Sequence, residues 1–308
     1  MTLQQLRYII AIDRFRNFAR AAEELEITQP TLSNLLQKLE NELDVRIFDR
    51  TNKSVTPTAI GEKIIRQAKI AVNECERISE LITEEKDTVS GTLNLSVGPT
   101  IAPYILPELI KAYTQMFPQV ELSIAEMKYD AMLNGLKTGT IDIGMAISGY
   151  QQDGIFEIPL YTEPFWVYIA ESCWRKLPVF KPENLEHQQM WIMKESQCLR
   201  DSAFSFCKAR NIGKRIYEAG SIETLIRIVD ANGGFTIIPQ MHLRFLTEQQ
   251  RRNVRRIDGD YLSQRRVSLY IRHDFIRQRM LNSIIKAITA FLPAEMISPG
   301  ITKREIRL

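Results

Sequence analysis

The chain has 308 residues, 44 % of them hydrophobic and 25 % charged, with a net charge of +3. At about 150 residues per domain this composition describes a globular protein of roughly two domains, and it excludes disordered, collagen-like and low-complexity chains. The longest apolar runs, such as Phe165–Ala170 and Phe235–Pro239, are of strand length, far below the ~20 residues that cross a bilayer.

Met1-Thr2-Leu3-Gln4-Gln5-Leu6-Arg7 has neither the basic nor the apolar region of a signal peptide, so a cytoplasmic protein with no membrane partner is expected. The four cysteines are too few for a disulfide scaffold. Cys198 and Cys207 stand nine apart, which fits no zinc spacing, and the three histidines are scattered singly. No metal and no cofactor are expected.

From Leu3 to about Leu81 the pattern is helical. Phe18, Ala21, Ala22 and Leu25 form the apolar face of a short helix, and Glu26-Ile27-Thr28 makes a turn. A second helix begins at Gln29-Pro30 with proline in its first turn, and Leu32, Leu36, Leu39 and Leu43 form its inward stripe. Two short helices joined this way make a helix-turn-helix. Beside Pro30, the second helix offers Gln29, Thr31, Ser33, Asn34 and Lys38 outward, groups able to reach base edges or phosphates in a major groove. Arg46, Arg50 and Lys53 then bracket a hairpin-like stretch ending at Val55-Thr56-Pro57, which suits a wing on the phosphates. Residues 1–70 hold eleven Lys/Arg against nine Asp/Glu. The charge balance alone therefore fits a solvated helical bundle equally well, and placement must supply any DNA footprint.

Ala59 to Glu84 reads as one long helix. Gly61, Ala68, Cys75 and Ile82 form one series at spacing seven, and Ile64, Ala71 and Ile78 form the other. Together they make the seam of a dimerising coiled coil, on which Cys75 is expected to be small and buried.

From Thr92 strands alternate with helices. Strands are predicted at Thr92–Val97, Val120–Ala125 and Ile141–Ile147, with helices at Pro103–Met116 and Tyr129–Lys137 between them, a series that implies a parallel sheet. Further strands fall at Phe165–Ala170, Met190–Met193, Phe235–Ile238 and Val267–Ile271. Helices fall at Leu199–Ala209, Ile222–Asn232 and Arg277–Phe291. The fold class is α/β with an all-α N-terminal part.

Cys198 precedes the helix predicted at Leu199–Ala209, where a helix N-terminus favours thiolate. Taken alone, the two cysteines read most simply as buried structural residues. In one intact helix Cys198 and Cys207 would lie roughly 13 Å apart, and a disulfide needs Cα atoms within about 7 Å. Joining them would require that helix to unravel.

The run Phe18-Ala19-Arg20-Ala21-Ala22-Glu23-Glu24-Leu25, then Thr28-Gln29-Pro30-Thr31-Leu32-Ser33, Leu39-Glu40, Phe48-Asp49-Arg50 and Thr56-Pro57-Thr58-Ala59-Ile60-Gly61, resembles the N-terminal domain of LysR-type transcriptional regulators. Cys198-Leu199-Arg200-Asp201, Ser221-Ile222-Glu223-Thr224-Leu225 and Gly233-Gly234-Phe235-Thr236-Ile237-Ile238-Pro239 resemble the regulatory domain of the peroxide-sensing branch of that family. The resemblance implies a winged helix-turn-helix DNA-binding domain over 1–58, a dimerising linker helix over 59–88 and a regulatory domain over 89–308. The last would comprise two Rossmann-like lobes of the periplasmic-binding-protein type, lobe I about 91–162 with 268–300 and lobe II about 163–267.

The resemblance further implies that Cys198 is peroxidatic and Cys207 resolving, and that their reversible disulfide switches the protein. Thr100 would hold peroxide, with Tyr129 and Arg266 as further members of that site, although Tyr129 stands where relatives carry threonine. The implied partners are a double-stranded DNA operator, hydrogen peroxide as signal, a second copy through the linker, a homotetramer, and a glutaredoxin- or thioredoxin-type reductant. Because a reductant must reset the disulfide, the chain is expected to be a sensor, not an enzyme. The alternatives are a regulator of the same family that senses a small metabolite between its lobes, and, more remotely, a thiol peroxidase.

Overall fold

The structure, a computed structural model, describes residues 1–49, 55–84, 89–149, 152–174, 189–193, 213–217, 221–256 and 264–301. They fall into two compact units. The first comprises Met1–Ser96, Gln119–Gly144 and Ile271–Leu281; the second comprises Val97–Pro118, Met145–Tyr270 and Asn282–Leu308.

The first unit opens with helices α1 (Leu3–Phe15), α2 (Phe18–Glu24) and α3 (Gln29–Leu43). Each starts where a short polar side chain satisfies backbone N–H groups that have no intrahelical partner. Thr2 and Gln5 form a capping box on α1. The Asn17 side chain accepts from the N–H groups of Ala19 and Arg20 at 2.9 and 3.1 Å, and Thr28 caps α3. Ile9, Ile12, Ala21, Leu32, Leu36 and Leu39 pack in the core between these helices. Strand β1 (Phe48–Asp49) pairs antiparallel with β2 (Thr56–Pro57), the pairing expected of a wing.

Helix α4 spans Ala59–Glu84, as the heptad pattern predicts. Its N-terminal half lies on the head: Ile65, Ala68 and Val72 are buried, and Lys69 donates to Asp13 on α1 at 2.8 Å. In the single chain Cys75 is exposed and Ile78 is 64 % exposed. The head core reaches along α4 only as far as Val72, so the seam positions Gly61 and Ala68 are buried against it while Cys75 and Ile78, further along the same seam, face solvent in the single chain.

Beyond α4 the order is β3 (Gly91–Val97), α5 (Ala102–Met116), β4 (Val120–Glu126), α6 (Tyr129–Thr138), β5 (Ile143–Ile147), β6 (Ile155–Ile169), β7 (Gln189–Met193), β8 (Gly213–Tyr217), a helix at Ile222–Asn232, β9 (Phe235–Pro239), β10 (Val254–Arg256), β11 (Gln264–Arg272) and a helix at Gln278–Thr289. In the first unit β3 and β4 are neighbours. The Asn73 amide of α4 donates to the Thr138 carbonyl at the end of α6. Asp142 accepts from the Asn94 backbone at 2.7 Å and is paired with Arg277.

In the second unit the strands run β5-β11-β6-β9-β7-β8, with β10 on β6. This sheet is mixed: β6 is antiparallel to both β9 and β10, and β7 is parallel to β8 and β9. Strand β6 begins ten residues before the apolar run that predicts it, because Ile155–Pro164 alternates too irregularly to read as a strand. Gly233 ends the helix before β9 at φ 77°. Gly234 follows at φ 82°, and a Cβ there would sit 2.2 Å from the Gln189 carbonyl oxygen, so this turn requires glycine.

Candidate nucleic-acid interface and regulatory site

Helix α3 has two faces. Leu32, Leu36 and Leu39 point into the core, while Gln29, Pro30, Thr31, Asn34 and Lys38 are exposed and Ser33 is half-buried. Thr31 sits over the cap, its hydroxyl 2.8 Å from that of Thr28. The start of the helix is thus ordered while its polar groups stay accessible, the arrangement a recognition helix needs. Glu40, on the same helix, is 6 % exposed. Its carboxylate accepts from the N–H groups of Ile47 and Phe48 at 2.7 and 3.2 Å, and so fixes where β1 leaves the head.

The second unit holds a buried polar cluster. At the C-terminal end of β3 the chain turns through Gly98-Pro99-Thr100-Ile101, with Gly98 N–H on the Met145 carbonyl at 2.8 Å and Ile101 N–H on the Gly98 carbonyl at 2.8 Å. Arg265 of β11 reaches this turn: its Nη1 donates to the Thr100 carbonyl at 3.1 Å. Its Nε donates to Glu163 of β6 at 2.6 Å, and Nη2 lies 2.5 Å from the same carboxylate oxygen. Glu163 also accepts from Met241 N–H at 3.1 Å. Burial alone would lower the Arg265 pKa, but the Glu163 carboxylate outweighs it and holds the guanidinium charged.

Around this pair the Tyr104 hydroxyl and His242 Nδ1 share a 2.9 Å hydrogen bond, and the Arg265 guanidinium lies 5.9 Å from the Tyr104 ring centre. Burial pushes the His242 imidazole down to about 4, with Glu223 pulling weakly the other way. Burial likewise raises the Tyr104 and Tyr161 phenols, so both stay protonated. Among the described residues the Thr100 hydroxyl makes no hydrogen bond, and the buried Tyr161 hydroxyl is also without a partner. A turn whose carbonyl is pinned and whose hydroxyl is unengaged can hold a small donor–acceptor molecule.

Two protein families match the chain: residues 3–62 match the bacterial regulatory helix-turn-helix protein, lysR family, and residues 86–293 match the LysR substrate binding domain. The chain belongs to the LysR family of transcriptional regulators. It is 31 % identical over 243 residues to the DNA-binding transcriptional dual regulator OxyR of Escherichia coli (strain K12), covering 78 % of this chain and 80 % of that protein. A full-length OxyR variant from Pseudomonas aeruginosa superposes with a TM-score of 0.79 at 28 % identity, covering 97 % of this chain and 98 % of that one. A hydrogen-peroxide-bound OxyR mutant from Corynebacterium glutamicum gives a TM-score of 0.59 at 27 % identity, covering 94 % and 92 %. This LysR-family chain is therefore a DNA-binding regulator, not an enzyme, with an N-terminal helix-turn-helix followed by a mixed α/β regulatory region. No helix among the described residues is long and apolar enough to cross a membrane.

The structure places the sites expected of this LysR regulator as follows. The exposed groups of α3 lie together on one helix. Arg50 and Lys53, with Cys198 and Cys207, lie outside the described residues. Thr100 is half-buried in the second unit, and Tyr129 is the first residue of α6 in the first. Arg266 is exposed, and its neighbour Arg265, 2 % exposed, is the one that reaches Thr100. Sequence reasoning missed Glu163, Arg265, Tyr104 and His242. Only Glu163 carried a signal, an acidic residue set in an apolar run.

Proposed function

We propose that the chain is a hydrogen-peroxide-responsive transcription regulator switched by a reversible Cys198–Cys207 disulfide. The observation that carries this reading is the Gly98–Ile101 turn, where buried Arg265 pins the Thr100 carbonyl and leaves its hydroxyl unengaged. The reading is supported by likeness to proteins named OxyR or, as in Haemophilus influenzae, hydrogen peroxide-inducible genes activator.

Thr100 holds peroxide, with Arg266 favouring the Cys198 thiolate. That sulfur attacks one peroxide oxygen; the O–O bond breaks, an S–O bond forms, and the departing hydroxide takes a proton and leaves as water. The Cys207 thiolate then attacks the same sulfur; the S–O bond breaks, the S–S bond forms, and the departing hydroxide takes a proton and leaves as a second water. A dithiol of the glutaredoxin or thioredoxin class returns the two electrons. The domain limits 1–58, 59–88 and 89–308 with two lobes are part of this proposal. So are dimerisation through the exposed stretch of α4, a homotetramer, and a cytoplasmic setting that keeps the thiols reduced. Gln29, Pro30, Thr31, Ser33, Asn34, Lys38, Arg50 and Lys53 contact the operator.

The test treats the reduced full chain with stoichiometric peroxide, maps disulfides by peptide mass spectrometry, and compares Cys198→Ser. A Cys198–Cys207 link that forms promptly and is absent in the variant is the expected result. Both thiols remaining reduced while peroxide persists would sink the switch.

A further inference from the structure

The polar surface of α3 continues past its first two turns. At 3.6 residues per turn, Leu32, Leu36, Leu39 and Leu43 share one side of the helix. Pro30, Asn34, Gln37 and Asn41 stand opposite them as its outermost stripe, and all four are exposed. On this stripe two side chains are joined: Gln37 Nε2 donates to Asn41 Oδ1 at 3.0 Å. Residues four apart lie one above the other on a helix. Among the described residues neither side-chain amide makes another hydrogen bond.

That bond uses one of the two Gln37 N–H groups. What remains is one N–H and the carbonyl Oε1, side by side and held in one orientation. A free exposed glutamine would have to give up rotamer freedom on binding, and this one has given up much of it already. An adenine in the major groove shows the complement, the N7 acceptor beside the N6 amino donor, and glutamine meets both at once. Guanine shows two acceptors there, N7 and O6, so Gln37 Oε1 would face O6 with no proton between them. Gln37 carries no charge and so has no general attraction for phosphate, unlike Lys38 beside it. As a helix support alone, an amide pair at this spacing contributes only weakly.

We propose that Gln37 reads an A·T base pair in the operator and that Asn41 is its positioning residue. The inference rests on the reading of α3 as the recognition helix. Gln37 lies three residues beyond Asn34, about 4.5 Å along the helix axis, and successive base pairs are about 3.4 Å apart. The adenine therefore falls within about two base pairs of the position that Asn34 senses.

The test selects binding sequences from a pool of fully randomised duplex DNA, using the full-length reduced chain and its variants, and measures affinities for single duplexes by gel shift. In the parent one position of the half-site should select A·T, and a G·C pair there should bind about tenfold more weakly. Gln37→Ala should make that position indifferent within about twofold and leave preferences elsewhere in place. Gln37→Arg should turn it to guanine. Asn41→Ala should reduce the discrimination to about threefold. Asn41→Asp, which keeps the acceptor oxygen, should retain the preference while its charge weakens binding to every duplex. Both positions are exposed, so the variants should melt like the parent, which thermal unfolding checks. A motif unchanged in Gln37→Ala, or a loss shared equally by all duplexes, overturns the assignment. Asn34→Ala, selected in parallel, separates the two failures. If it alters the motif and Gln37→Ala does not, the role of Gln37 alone falls; if neither alters it, α3 is not the recognition helix and both readings fall.

Discussion

In the helix-turn-helix head, Ile9, Ile12, Leu32, Leu36 and Leu39 make an apolar core, and Gln29, Thr31, Asn34 and Lys38 stand outside it on the exposed face of α3. The second unit does the reverse. Its core encloses a full ion pair, Glu163 and Arg265, together with Tyr104, Tyr161 and His242. The two arrangements serve different tasks. A surface that reads DNA needs rigid support and accessible donors, and an apolar core gives both at low cost. The site proposed for peroxide needs polar groups held in place away from water. Each buried charge must then be fully satisfied, because an unpaired one costs several kcal/mol.

The largest expected effect follows from that contrast. Glu163→Ala should cost about 3–5 kcal/mol in urea unfolding, because it strands the Arg265 guanidinium in the core. The double replacement Glu163→Leu with Arg265→Met should recover most of that loss, since a buried pair exchanged for apolar side chains is often close to neutral. In the head the logic is additive: Leu36→Ala costs about 2–5 kcal/mol and no second substitution restores it. Trp166, Trp174 and Trp191 all lie in the second unit, so tryptophan fluorescence follows that unit directly. A double variant as unstable as Glu163→Ala alone would break the comparison.

The same contrast explains what the sequence could disclose. The head is built from local periodicity: Leu32, Leu36 and Leu39 lie within two helical turns, and Thr28 and Pro30 mark the start of α3 by residue type alone. The long α4 and the strand–helix alternation after Thr92 are legible for the same reason. The buried cluster joins residues 100, 104, 163, 242 and 265 across as many as 165 positions, and no spacing rule links them. The adjacent Arg265 and Arg266 are chemically identical; only the alternation of β11 in its sheet decides which one goes inside.

A smaller effect separates the two regions by pH. The His242 ring takes up a proton near 6.5 when unfolded and near about 4 when folded. The folded-state pKa of this base is depressed, so its contribution is complete above about 6.5 and is lost as pH falls through 6.5 toward 4. The total is about 3 kcal/mol. Residues 1–84 contain no histidine, so the head has no counterpart to this loss. Urea unfolding followed by tryptophan fluorescence at pH 7.5 and pH 5 should show it, and His242→Gln should flatten it. An unchanged slope in that variant would mean that another group titrates.

Glu40 is the head's counterpart to the buried pair, a single carboxylate satisfied by backbone. Glu40→Ala leaves the N–H groups of Ile47 and Phe48 without their acceptor and should cost about 1–3 kcal/mol. Glu40→Gln keeps an acceptor oxygen and should cost less. Because these bonds fix the start of β1, operator affinity should fall in Glu40→Ala beyond what unfolding explains, as measured by gel shift at a temperature where the variant is fully folded.

The smallest effect is the most discriminating, because it applies one physical change to both regions. Thr28 caps α3 by accepting from Thr31 N–H at 3.4 Å, and Ser221 caps the helix Ile222–Asn232 by accepting from Thr224 N–H at 3.3 Å. Removing either oxygen with alanine should cost about 1 kcal/mol. The functional outcomes should differ. In Thr28→Ala the first turn of α3 frays, and that turn carries Gln29, Thr31 and the approach to Ser33, so operator binding should weaken several-fold and Thr28→Ser should restore it. In Ser221→Ala the frayed turn lies in the second unit, and operator affinity of the reduced chain should stay within about twofold. If the two alanine variants lose operator affinity equally, the ordered start of α3 is not what presents its polar face to DNA.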